Sequence, residues 1–156
     1  MANYTTETKV RQESGLVNNA NVTDPEILVV IDESHGEILA MVGNRYSLTE
    51  LDTNFSGSPA EALLTRIETI LAAGYMLQRV NQAETDGYEE GNSKVERAMK
   101  MLEKIAAGTY ILQDSNNDEY ITNGGDGYGL EPEIMSPAES ADDEDGSDMD
   151  QLTKVF

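Results

Sequence analysis

Asp114, Asn116 and Asp118 place side-chain oxygens at alternate positions, and Tyr120 follows where a backbone carbonyl could join them. That is the donor order of the first half of an EF-hand calcium loop. The second half departs from it: the sixth position is Glu119 where the sharp turn requires glycine, and the twelfth is Gly125 where a bidentate glutamate would close the shell. The run therefore reads first as the polar tip of a hairpin, with Asp114, Asn116 and Asp118 kept as a weak calcium candidate and no metal assigned. His35 is the only histidine, set mid-helix beside Glu33 and Gly36. One imidazole cannot assemble a zinc triad of the usual kind, so His35 reads as a partly buried or interfacial side chain. Cysteine is absent, which removes disulfides, thiolate ligands and thiol nucleophiles together. No G-x-S-x-G elbow or glycine-rich phosphate loop occurs. Paired carboxylates mean little where 30 acids make pairs by chance; acid–base chemistry would need two in an apolar pocket with separated pKa values. With no catalytic constellation to name, the expectation is a protein without enzymatic activity or cofactor.

Charge narrows the partners. The chain carries 30 acidic against 10 basic residues, a net charge of -20. Nine of the acids fall between Glu131 and Asp150, which holds no base, and the remainder still has 21 acids against 10 bases. Acidity this pervasive fits adaptation to high salt, as in a halophilic setting, or a field that repels nucleic acid. Either disfavours tight sequence-specific DNA binding, which needs a basic footprint. No window approaches eighteen consecutive apolar residues, and the opening MANYTTETK lacks the apolar core of a signal peptide. The expectation is a soluble protein made in the cytoplasm, with no membrane partner.

The elements that would hold these residues are mainly helical. Thr5 or Thr6 opens a short helix with Val10 inward, ending near Ser14-Gly15. Thr23-Asp24-Pro25-Glu26 combines a capping oxygen, a first-turn proline and a glutamate at the positive helix end. It starts a helix reaching about Gly43, whose buried face takes Ile27, Val30, Ile31, Ser34, Ile38, Met41 and Val42, widened by Leu28 and Leu39. Residues 44–57 read as a connection that packs down through Tyr46, Leu48, Leu51 and Phe55. Ser58-Pro59-Ala60-Glu61 announces the central helix, to about Ala83, with Ile67 and Leu71 in its core face and Ala72, Ala73 and Gly74 offering a close seam. After a loop over 84–92, Ser93 and Glu96 form a capping box for a last helix stopped by Gly108. Its stripe is Val95, Ala98, Met99, Leu102, Ile105 and Ala106. Tyr110-Ile111-Leu112 and Tyr120-Ile121-Thr122 flank the polar tip as a hairpin. Beyond residue 122 the chain turns glycine-rich and acidic, an arm that cannot build a core alone, ending on Leu152, Val155 and Phe156 as a docking end for another chain. The fold class is thus mainly α, a small bundle of about four helices with a short β-hairpin over residues 1–122. An extended acidic arm takes up 123–156.

In this order, from Thr5 to Leu112, the chain resembles the head-tail connector, or adaptor, proteins of tailed viruses. The resemblance lies in a short N-terminal helix, a long helix ending in a turn that contains Arg45-Tyr46, the Pro-started helix from Ser58 to Ala83, and a helix closing as LEKIAAG (Leu102 to Gly108) before a short apolar run. It implies a structural virion protein at the head-tail interface, forming a homo-oligomeric ring, commonly a dodecamer, beneath the portal protein and above a tail-proximal connector or terminator protein. DNA would pass through that ring without sequence-specific binding, and the arm ending in Phe156 would reach the portal. The segment Tyr110, Ile111, Leu112 and Tyr120 is then a candidate inter-subunit or channel contact. A second reading, from a different class, is an acidic DNA mimic that occupies the basic groove of a nucleic-acid enzyme.

Overall fold

In the computed structural model, residues 3–19, 22–81, 85–120 and 122 are described. They form α1 (Glu7–Ser14), α2 (Asp24–Val42), α3 (Leu48–Leu51), α4 (Pro59–Val80) and α5 (Asp86–Ala106). The acidic arm, with Leu152, Val155 and Phe156, lies outside the described residues.

Local chemistry starts three of these helices where the sequence places them. Thr6 caps α1 by accepting the Lys9 N–H, and Gly15 ends it in the left-handed conformation (φ 71°), its backbone facing the Arg11 and Gln12 carbonyls. Glu26 closes the capping box of α2 by accepting the Thr23 N–H at 2.8 Å, which holds its carboxyl below the ordinary range. Ser58 accepts the Glu61 N–H at 3.0 Å to open α4, with Pro59 in the first turn. Arg11 then ties α1 to the start of α2, donating to the Val22 carbonyl (2.7 Å) and to Asp24 (2.8 Å).

α4 is the centre, packing against α1, α2 and α5. Its two sides feed two apolar clusters. One gathers Ile38, Val42, Tyr46, Leu51, Leu64, Ile67, Leu71, Leu102, Ile105 and Leu112, with Met99 only partly buried at its edge. The other joins Val10, Val22, Ile27, Val30 and Ile31 to Ala72, Ala73 and Met76. Leu28 departs from the sequence reading: it is 43% exposed and belongs to neither apolar cluster. The connection over 44–57 contains the one-turn helix α3, capped by Ser47, which sends Leu51 into the core.

The last helix differs most in its extent. It begins seven residues before Ser93, at Asp86, with Thr85 accepting the Tyr88 N–H, and Ser93 is an exposed interior position. Gly87 and Gly91, read as loop residues, are helical. Gly91 is there because α4 passes across it. A Cβ on Gly91 would lie 2.8 Å from the Gly74 carbonyl oxygen, and one on Gly74 would lie 2.9 Å from the Gly91 oxygen and 2.8 Å from a Val95 methyl. The two backbones approach closely enough that neither position has room for a side chain.

The hairpin is a second correction. Among the described residues no strand forms; Gln113 and Glu119, and Tyr46 and Thr122, make isolated antiparallel bridges. The donors a ladder would need are already engaged. The Tyr110 N–H goes back to the Lys104 carbonyl (3.0 Å) in the helix stop at Gly108 (φ 75°), and the Leu112 N–H goes to the Tyr46 hydroxyl (3.1 Å). Tyr120 N–H to Leu112 O (3.0 Å) and Asp114 N–H to Asp118 O (2.9 Å) do cross the loop.

Candidate functional site

The segment after α5 is held by a latch built from the Arg45-Tyr46 turn. Arg45 stacks over the Tyr46 ring at 5.3 Å and pairs with Glu119 at 3.0 Å, while its guanidinium lies directly over Gly108. The Tyr46 hydroxyl accepts the Leu112 N–H and donates to Glu119 Oε1 at 3.3 Å. Leu112 and Tyr120 are thereby buried, whereas Tyr110 (37% exposed) and Ile111 (50%) face outward. The four residues singled out together from sequence thus divide into two that anchor the segment and two that it displays.

At the tip, the Asp114 carboxylate serves its own loop. It accepts the Asn116 N–H (2.7 Å), the Asn116 side-chain amide (3.1 Å) and the Asp118 N–H (3.0 Å). Burial alone would raise its pKa, but the bonds from Asp118 and Asn116 outweigh that and hold it below the usual aspartate value. Asn117 takes a left-handed conformation (φ 66°), which turns the chain without glycine. Among the described residues no three histidine or carboxylate side chains converge as a metal shell would require.

A buried polar cluster lies between α2, α4 and the N-terminal segment. Glu68 is wholly buried (0% exposed), with Oε1 2.8 Å from His35 Nδ1 and Oε2 accepting the Thr5 N–H. Thr69 donates to the Thr65 carbonyl at 2.7 Å, so the Thr5 hydroxyl is the donor in its 2.6 Å contact with Thr69. Thr65 in turn donates to the Tyr4 carbonyl at 3.1 Å. The Tyr4 ring sits 4.8 Å from the His35 ring and 5.1 Å from Phe55. Burial raises the Glu68 pKa, partly offset by the hydrogen bonds from His35 and Thr5. An unpaired carboxylate here would cost several kcal/mol, on the order of a whole domain's margin, so His35 and Thr5 are what make the position tenable. The cluster clamps residues 4–5 onto α4. Sequence reasoning passed over Glu68, although it sits at i+4 from Leu64 and one position after Ile67, inside the apolar stripe, where a charged residue signals a partner.

The third feature is a pair of adjoining surface grooves where α1, α4 and α5 meet. One, of about 540 Å³, runs along α5 past Arg97, Lys100 and Lys104 to Tyr110, with Arg66 opposite. The other, of about 300 Å³, shares Arg66 and Arg97 and extends to Lys9 on α1. Neither is lined by His35 or Glu68, although the smaller one includes Thr65 and Thr69 from the rim of that cluster. Five of the ten basic residues of a strongly acidic chain therefore line these two grooves. Periodicity could have shown part of this, since Arg97, Lys100 and Lys104 follow at three- and four-residue steps on one face of α5.

No described helix is long and apolar enough to cross a membrane. Compared with protein-family models, curated proteins and solved structures, the chain matches none.

Proposed function

We propose that the chain is a structural, ring-forming adaptor of a tailed virus, seated between portal and tail and extending the channel through which DNA passes. The observation that supports this reading is the presence of two different exposed apolar surfaces on one small helical bundle. Leu28 (43% exposed) and Val29 (48%) stand on the outer face of α2 near its start, whereas Tyr110 and Ile111 stand on the latched segment beside its end. The rise along α2 between Leu28 and Val42 is about 21 Å. A head-to-tail interface, which closes into a ring, needs two unlike patches on each subunit, whereas a two-fold dimer uses one patch twice. The net acidity of the chain suits a conduit that must not grip phosphates. The end Leu152, Val155 and Phe156 is assigned to docking on the portal in the same proposal.

Subunits of net charge -20 repel one another, and the Debye length falls from about 10 Å at 0.1 M salt to about 3 Å at 1 M. Ring closure is therefore expected to strengthen with salt. Light scattering of the purified chain across a salt series tests this, with Ile111→Asp expected to block assembly while leaving the circular dichroism unchanged. A chain that stays monomeric at every salt and protein concentration, or rings that fall apart as salt rises, would refute the adaptor reading. A monomer that competes with DNA for a basic enzyme would favour the DNA-mimic reading instead.

A further inference from the structure

We infer that the basic groove along α5 is the docking site of this chain's own acidic segment, Glu131 to Asp150. The inference concerns a single chain and does not rest on the adaptor reading.

The groove gathers five cations in a chain of net charge -20. Lys9, Arg66, Arg97, Lys100 and Lys104 are all exposed. Lys9, Arg66 and Arg97 make no ion pair among the described residues. Lys100 has a long 3.6 Å contact with Glu96, both side chains 71% exposed, and Lys104 lies over the Tyr110 ring at 5.2 Å. The acids in the lining are Glu96 and Glu13, and Glu13 is already bonded to Lys94 at 2.9 Å. The walls are thus left with a surplus of positive charge. A row of cations at this spacing suits an extended acidic peptide, which presents carboxylates in series.

The complementary segment is in the same chain. Glu131 to Asp150 has nine acids and no base. The described fold also ends beside the groove. Tyr120 is hydrogen-bonded to Leu112, two residues from the Tyr110 that forms the groove's end, and Thr122 bridges to Tyr46. From Thr122 to Glu131 the chain can span about 30 Å at 3.3 to 3.6 Å per residue. The stretch of α5 from Lys104 to Arg97 is only about 10 Å long. The acids therefore reach the groove without strain, and tethering holds them there at an effective concentration on the order of millimolar. A free anion in solution has no such advantage. Docking would mask a basic surface that the described residues could otherwise offer to nucleic acid.

Because cysteine is absent, Ser140→Cys provides a single attachment point for a nitroxide in the full-length chain. With the chain isotopically labelled, the amide signals of Arg97 and Lys100 are expected to be lost at low salt and to return in about 0.5 M salt, as screening takes effect. This salt dependence is opposite in sign to that expected for ring closure, so the two readings fail separately. The variant Arg97→Glu with Lys100→Glu should restore the remaining groove amides at low salt. Neutralising Asp142, Asp143, Glu144 and Asp145 to Asn or Gln should do the same without touching the packed helices. Unattenuated groove amides at low salt would overturn the inference. So would equal attenuation on isotopically labelled copies that lack the nitroxide when they are mixed with nitroxide-bearing copies, which would place the segment on another chain. Groove amides that respond to a DNA oligonucleotide but not to the nitroxide would assign the groove to phosphates and also overturn it.

Discussion

The contact between Gly74 and Gly91 allows a sharp test, because a third helical glycine supplies its control. Gly36 lies within α2 with nothing within 4 Å of where a Cβ would be, so Gly36→Ala meets no obstacle. It should gain the difference in helix propensity, about 0.5–1 kcal/mol in favour of the folded state. Gly91→Ala makes the same propensity gain but drives its methyl to 2.8 Å from the Gly74 carbonyl oxygen and 3.1 Å from the Gln78 nitrogen and Cγ. The nearest of these atoms is backbone, so no rotamer change relieves it and the helices must part. Overpacking of that kind costs about 1–3 kcal/mol. The net expectation for Gly91→Ala, and equally for Gly74→Ala, is a loss of about 1–2 kcal/mol, so the two classes of variant should differ by about 2 kcal/mol. The double variant Gly74→Ala with Gly91→Ala should lose less than the sum, since one separation of the helices accommodates both methyls. Urea unfolding of the full chain, read by circular dichroism, measures all four. Should Gly91→Ala prove as stabilising as Gly36→Ala, the close approach of α4 and α5 is wrong.

Tyr46→Phe removes the acceptor of the Leu112 N–H and should cost about 1–3 kcal/mol; the amide of Leu112 should exchange faster with solvent, and unchanged protection would refute the latch. For Glu68 the native pKa is raised, so the stability it contributes is present below the unfolded value near 4.5 and is lost as pH rises through the native one. Glu68→Gln removes that loss, so the variant should gain on the parent as pH rises from about 4 to 7; falling behind instead would mean that attraction to His35 outweighs burial. Glu26 and Asp114 behave oppositely: their native pKa values are lowered, so what they contribute is present above the unfolded values, near 4.5 and 3.8, and is lost as pH falls through the native ones. Glu26→Gln and Asp114→Asn should each flatten the acid limb of a thermal-unfolding profile, and an unaltered limb would count against these assignments.

How much of this was legible in the chain depends on the range over which each feature is decided. The starts of α1, α2 and α4 were readable because an N-cap is a contract among residues three apart: Thr6 with Lys9, Thr23 with Glu26, Ser58 with Glu61. The stop at Gly108 is equally local, requiring one residue with positive φ. The start of α5 offered two local solutions, Thr85 and Ser93, and local chemistry does not choose between them. Glycines at 87 and 91 argue against helix by propensity, yet only glycine lets α4 cross so closely, and packing over that seam outweighs the propensity cost.

The same division holds at the candidate sites. Asp114, Asn116 and Asp118 were visible as a polar turn, since Asp114 caps donors two and four residues away. That the flanking runs would not form a hairpin depended on Tyr46, 66 residues before Leu112, claiming a ladder donor. Glu68 and His35 meet across 33 positions, and Lys9 joins Arg66 and Arg97 only because α1 lies across α4. By itself the amino-acid order determined a mainly helical, acidic, cysteine-free chain with punctuated helices, because capping, periodicity and charge are short-range or additive. Tertiary structure alone decided which backbones touch, which carboxylate is buried, and where the few cations line up, because each of these is a distance between residues far apart in the chain.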